Sequence, residues 1–433
     1  MYSKLYRQYV ATVLLLVYVF NQLDRRVFDI LMEPVKRQFS LTDAQLGFLA
    51  GPALVVVYSC LGIPVARWAD RRGRIAIMTC AVGLWSFFAA STATVHHFWQ
   101  LALARVGVGV GEAGFSAVAI SVICDYEDDQ NRARAISNFM LAIPIAGIVS
   151  NLMGGWVNQL YGWRWVFVIA GVPGVPLAAL MWATVREPTR RLRTYSDSLE
   201  RPPFRAVLST LWQRQSLRHL VLGLGANTMV AWVIGWLYVL FIRQHHMTTG
   251  ELGSWFALTE GVGTLIGIWL GGFLATRLGT KDASATTRLM TLAGVLVAPL
   301  ASFVLWCPSK HLALLGYLLL NIAMYFAWGP TTALVQDLVG SNMRATMASL
   351  LFLTQMLAGG VIGTQLVGVL SDALAPIAGN STIALRWSMT LGSMVTLWSA
   401  MHFWRAGRYV RQDLVVAALS RSPEQPGPLT VTS

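Results

Sequence analysis

The sequence predicts an all-α membrane protein, with twelve transmembrane helices arranged as two pseudo-symmetric six-helix bundles. Three observations carry this. Of 433 residues, 55% are hydrophobic and only 12% are charged, with a mean hydropathy of +0.56. Long uncharged apolar stretches recur along the chain, as in a polytopic membrane protein. Short motifs in the first half also return in the second at nearly equal offsets.

Candidate spans run at 9–31, 43–67, 74–94, 98–124, 134–160 and 164–186, then at 217–243, 250–277, 286–307, 310–338, 342–371 and 384–406. Each is about twenty residues or more, enough for a helix to cross the hydrocarbon layer. The first follows Lys4 and Arg7 as a signal peptide would. No small-residue cleavage site follows, so a retained helix is expected. Most connections are short. The stretch 187–216 is Arg-rich, contains Pro188, Pro202 and Pro203, and separates an N-terminal bundle (1–186) from a C-terminal bundle (217–408). Within this cytoplasmic linker, 204–212 has the pattern of an amphipathic helix suited to an anionic membrane surface. The tail 409–433 becomes polar and is expected to be disordered beyond Ser420.

Charge placement sets the orientation. Of 33 Lys and Arg, 24 fall in one alternating set of connections and tails, and only six (Lys36, Arg37, Arg164, Arg243, Lys310 and Arg386) fall in the other. By the positive-inside rule both termini are cytoplasmic. The net charge of +13 thus reflects orientation, and nucleic acid is not an expected partner. Four scattered cysteines (Cys60, Cys80, Cys124 and Cys307) have no CxxC spacing and read as buried hydrophobes, so neither a metal site nor a cofactor is expected. The preponderance of Arg over Lys points to a bacterial inner membrane.

The repeats have a consistent form. Asp70-Arg71-Arg72-Gly73 after span two is echoed by Thr276-Arg277-Leu278-Gly279 after span eight. Asp125 with Arg132-Ala133 after span four is echoed by Asp337 with Arg344-Ala345 after span ten. Parallel duplication about an axis along the membrane normal gives this pattern.

Span four carries the strongest functional signal. Arg105 and Glu112 lie within an apolar run, seven residues apart, and so share one helix face about 10 Å apart along the axis. Gly107, Gly111 and Gly114 collect opposite them, where small residues allow close helix approach. Charges at membrane depth are costly and usually face a polar cavity, although a buried pair that only fixes helix order has the same sequence. Asp24 and Arg25 in span one, about 21 Å from its cytoplasmic end, reach a depth close to that of Arg105.

Ala66-Arg-Trp-Ala-Asp70-Arg71-Arg72-Gly73-Arg74 resembles the loop signature G-x-x-x-D-R-x-G-R of the major facilitator superfamily, with Ala66 in place of the first glycine. Asp24-Arg25, Gly62-Ile-Pro64, Arg105-x-x-x-Gly109-x-Gly111-Glu112-Ala113, Ala142-Ile-Pro144 and Gly162-Trp163-Arg164-Trp165-Val-Phe167 resemble the spinster branch. The match is specific over most of the first half and looser in the second, at Trp328-Gly329-Pro330 and Val367-Gly368. The resemblance implies a secondary transporter that works by alternating access with proton coupling, whose relatives move lysophospholipids and sphingosine-1-phosphate-like lipids.

On this basis Asp24 and Glu112 are the candidate proton-coupling carboxylates, and Arg25 and Arg105 the candidate anchors for an anionic head group. The resemblance implies a cytoplasmic gate at Asp70, Arg71, Gly73 and Arg74, joined by Asp125, Arg132 and Arg344. Asn227, Trp232, Trp236 and Tyr238 of span seven, with Glu260, Tyr325 and Trp328, are candidate cavity lining, although single aromatics in such helices more often face lipid or core. A cavity charged in the first half and apolar in the second suits an amphiphilic lipid or organic anion, moved by a monomer among membrane lipids. The alternatives are a multidrug or organic-solute exporter and a membrane-embedded lipid enzyme. No HExxH, GxSxG or Cys/His spacing supports the enzyme.

Overall fold

The computed structural model describes residues 2–188, 203–279, 282–340 and 342–419, and among these every regular element is helical. The twelve expected spans are present. Span one is a single helix, Lys4–Phe39; span two is Asp43–Ala50 with Pro52–Arg72; span three is Arg74–Ser91. Span four is Phe98–Glu112 with Phe115–Tyr126, span five Asp129–Met140 with Ala142–Tyr161, and span six Trp163–Gly171 with Gly174–Thr184. Span seven is Gln215–Ile234 with Leu237–His245, span eight Thr249–Gly279, and span nine Ala283–Trp306. Span ten is Lys310–Phe326 with Trp328–Asp337, span eleven Arg344–Met356 with Thr364–Ala378 across a π-helical turn at Leu357–Gly363, and span twelve Ser381–Ser393 with Val395–Leu419.

By length and composition, 10 of these are apolar enough to cross a membrane, and spans one and twelve are not among them. Their charges dilute the hydropathy. Span one carries Asp24, Arg25, Arg26, Asp29 and Glu33, and span twelve Arg405, Arg408 and Arg411. Both outrun their expected limits for the same reason. Glu33, Lys36, Asp43 and Arg243 pair around the end of span one, so the helix continues through Pro34 to Phe39. Val410 and Ala417 are buried and Arg411 pairs with Asp282, so span twelve extends through the stretch expected to begin the tail. A helix is present at Phe204–Gln213, where the sequence predicts an amphipathic one, with Val207 buried and Phe204 and Trp212 exposed. Residues 189–202 of the expected linker and the tail beyond Leu419 lie outside the described residues.

Glycines set the close approaches. Span four breaks at Gly114, whose φ of +77° is left-handed and favours glycine. A Cβ on Gly111 would lie 2.5 Å from the Trp85 backbone nitrogen, so span three packs against the small-residue face expected from the sequence. The two bundles are fastened at the end opposite the basic connections. There Gly51 faces Gly360, Gly368 faces Asp43, and Gly155 and Gly253 interleave across spans five and eight, each with no room for a side chain.

Candidate functional site

Span one supplies four charges in six residues, and the helical turn sends them to different neighbours. Arg25 faces span four, where its Nε donates to Glu112 Oε2 at 3.0 Å and its guanidinium lies over the Tyr58 ring of span two at 4.4 Å. Arg26, about 100° further round, faces the other bundle. Its Nη1 donates to Glu260 Oε1 at 3.0 Å, and the side chain runs alongside Gly147 of span five. Asp24 is 1% exposed and neither of its carboxylate oxygens has a hydrogen-bond partner.

The expected depth match between Asp24 and Arg105 does not become a bridge. Arg105 is 1% exposed, its guanidinium lies over the Phe28 ring at 4.6 Å, and its Nε donates to the Leu49 carbonyl at 3.4 Å. Its Nη1 has no partner, nor has Glu112 Oε1. The pair that forms is Arg25–Glu112. Its physical reason is directional, because Arg105 leans toward the Leu49 carbonyl while Arg25 presents two nitrogens to one carboxylate. Two acids and two arginines therefore form one buried charged group, with four polar atoms unsatisfied.

The C-terminal half is more polar at this level than an apolar wall. Glu260 Oε2 lies 2.8 Å from the Tyr238 hydroxyl, which is also 2.8 Å from Asn151 Oδ1 of the first bundle. Among the remaining lining candidates, Trp328 is exposed and donates to Gln355 at 3.0 Å, and Trp232 packs over Gly359 and Gly360. Tyr325 is half-buried beside Arg26 and Glu260. Two candidates are corrected. Trp236 is fully buried, donating to the Thr364 carbonyl at 3.3 Å where the bundles meet. Asn227 is buried and donates to the Met324 carbonyl at 3.0 Å, a helix-to-helix bond within the second bundle.

At the basic end, Arg74 is 3% exposed and binds Glu187 Oε1 at 2.9 Å, Asp125, and Ser121 at 3.0 Å. Gly73, with φ of +101°, makes the turn that brings it there. This cluster ties spans three, four and six of one bundle together, which is narrower than a latch between bundles. Arg71 is exposed, and Arg344 donates to the Gln336 carbonyl at 3.2 Å. Arg132 has a partner, and the Asp70 side chain lies outside the described part of the structure.

Sequence reasoning missed a second charged cluster at the opposite end. Arg243 Nε donates to Glu33 Oε2 at 2.8 Å and its Nη2 to Asp43 Oδ1 at 2.9 Å, joining span seven to spans one and two. Lys36 and Ser371 also bind Asp43, and the Asp372 carboxylate accepts from the Asp43 and Ala44 amides at 3.0 and 2.8 Å. Lys36 and Arg243 were two of the six basic residues on the sparsely charged side. That scarcity was the available signal.

The profile of the Major Facilitator Superfamily matches residues 14–364. The chain belongs to that superfamily. It is 30% identical to an MFS-type efflux pump of Mycolicibacterium smegmatis, over 94% of each chain. It is 24% identical to the sphingosine-1-phosphate transporter SPNS2 of Danio rerio, over 92% of this chain and 84% of the relative. Its fold superposes with a TM-score of 0.88 and 26% identity on a bacterial homologue of the lysosomal transporter Spinster in an inward-facing, unoccupied conformation, covering 98% of this chain and 100% of the other. The spinster-branch resemblance read from the sequence therefore stands. The chain is an integral membrane protein of a transporter fold.

Proposed function

We propose that the protein is a proton-coupled secondary transporter that moves an amphiphilic lipid or organic anion by alternating access. The observation that carries this reading is the buried group Asp24, Arg25, Arg105 and Glu112, in which both Asp24 oxygens, Glu112 Oε1 and Arg105 Nη1 lack partners. Unpaired ionised groups at membrane depth are costly. A site that keeps them is built to receive something. With both acids ionised the four side chains are neutral together; with both protonated they carry two positive charges. Protonation therefore prepares the site for an anion, which Arg105 and a released Arg25 then hold.

The fastening of the bundles away from the basic connections supports an inward-facing state, given cytoplasmic termini and the expected inner-membrane location. Likeness to a sphingosine-1-phosphate transporter supports a lipid substrate. Glu112→Gln is expected to abolish transport driven by a pH gradient in proteoliposomes loaded with lysophospholipid or sphingoid phosphate. Unchanged gradient dependence would refute the coupling role. A second reading, export of organic solutes or drugs, is favoured by the 30% identity to an efflux pump. Competition by hydrophobic cations would select it. In either case the basic-end residues Asp70, Arg71, Arg132 and Arg344 serve the gate that closes when the other end opens, and Gly73, Arg74 and Asp125 hold the first bundle's side of it in shape.

A further inference from the structure

The Arg26–Glu260 pair lies outside the four-residue group and crosses from one bundle to the other. Neither side chain is sealed away, with 34% of Arg26 and 16% of Glu260 exposed. Asp29 of span one and Tyr317 and Tyr325 of span ten also lie close enough to interact with Glu260, as the bonded Tyr238 of span seven does, and Asp29 and Tyr325 lie close enough to interact with Arg26. Arg26 is the cation at this crossing and Glu260 its direct partner.

Hydrogen counting shows what this cluster can do. The Tyr238 hydroxyl has one hydrogen and sits at 2.8 Å from two oxygens, Glu260 Oε2 and Asn151 Oδ1. When Glu260 is ionised, Tyr238 donates to it. When Glu260 carries a proton, its carboxyl donates to the Tyr238 oxygen and Tyr238 donates to Asn151. Only the protonated form places a hydrogen in both contacts; ionised Glu260 leaves the Tyr238 and Asn151 oxygens facing each other with none between them. The charge balance differs between them. Whatever charge Asp29 carries, provided it is the same in both forms, ionised Glu260 offsets Arg26, and an anion added to Arg26 adds one uncompensated negative charge. If Glu260 first takes a proton from water, the anion takes its place opposite Arg26 and the total charge is unchanged.

We propose that Arg26 is a second anchor for the substrate's anionic group, and that Glu260 yields it by taking up one proton for each anion bound there. The proton comes from water reaching these partly exposed side chains, and no covalent bond other than that O–H changes. The anion is a compact oxyanion, whether phosphate, sulfonate or carboxylate, on an amphiphile. This rests on the anion-transport reading above and adds a proton site in the second bundle that is independent of Glu112.

The test uses the purified full-length protein and octanesulfonate, a probe whose own charge does not titrate near neutral pH. Proton uptake per ligand bound is measured by calorimetry in buffers of different ionisation enthalpy. Glu260→Gln is expected to take up one proton fewer than the unsubstituted protein while still binding the probe. Arg26→Gln is expected to lose about tenfold or more in affinity, and Arg26→Lys to recover part of it. An unchanged proton count in Glu260→Gln overturns the proposal. If Glu112→Gln reduces the count in the same series, the anion-transport reading survives that failure. Absence of probe binding by the unsubstituted protein, at acidic and neutral pH alike, overturns both.

Discussion

Arg243→Ala removes the cation that joins three helices at the far end of the molecule. Its side chain is 7% exposed, and so is that of Glu33, while that of Asp43 is 2% exposed. Deleting one member of a buried ion pair costs about 3–5 kcal/mol, because the surviving charges are left without compensation. Lys36 remains against Asp43 and Arg37 binds Glu33 at 2.9 Å, which favours the lower end of that range. About 3 kcal/mol, realised only while the bundles touch here, lowers the population of this conformation roughly 100-fold relative to one in which they part. Spin labels on the far ends of spans two and eleven, read by pulsed electron resonance, should therefore shift from a short to a long distance. Arg243→Lys should move the distribution less. A distribution indistinguishable from that of the unsubstituted protein, with folding intact, would show that the network does not hold the two bundles together.

Other consequences can be checked by simpler means. Gly51→Ala places a methyl group against the Gly360 carbonyl and the Thr364 side chain, so it should destabilise this conformation by about 1–3 kcal/mol, seen as a lower Tm in detergent. Asp372→Asn weakens the acceptor for two amides at the start of span two and should cost about 1 kcal/mol, with Asp372→Ala costing more in the same assay. Arg74→Ala strands Asp125 and Glu187 around an emptied buried position. Because the Glu187 side chain is 42% exposed, the loss should be about 1–3 kcal/mol, and a melting profile like that of the unsubstituted protein would contradict the clamp described for it.

The architecture was legible because lipid leaves the backbone few choices, so apolar length and charge alternation specify helices and their direction. The glycine face of span four was legible for the same local reason. Partner choice was not. Asp24, Arg25, Arg105 and Glu112 could be grouped by depth, but depth does not say which guanidinium turns toward which carboxylate. Arg25 and Arg26 are neighbours in the chain and opposites in space, and that 100° step was the readable clue to a charge facing the second bundle. Trp236 was misassigned because an aromatic in a cavity-lining helix lines the cavity only over the part of the helix that the other bundle does not cover. Glu187 had no comparable signal, since its role depends on where span six ends.

The π-helical turn at Leu357–Gly363 has a consequence for how span eleven could evolve. Such a turn accommodates an extra residue, and the segment beyond it carries Gly368, Ser371 and Asp372 onto the tip of span two. Deleting a single residue there and closing the turn to α geometry would leave that segment near its present angle, whereas the same deletion within either flanking α segment would rotate it by about 100° about its own axis. In the second case its carboxylate would swing off the amides it caps while every residue downstream kept its chemistry. This short glycine-rich stretch is therefore the one place in the span where a change of one residue in length need not re-aim that contact.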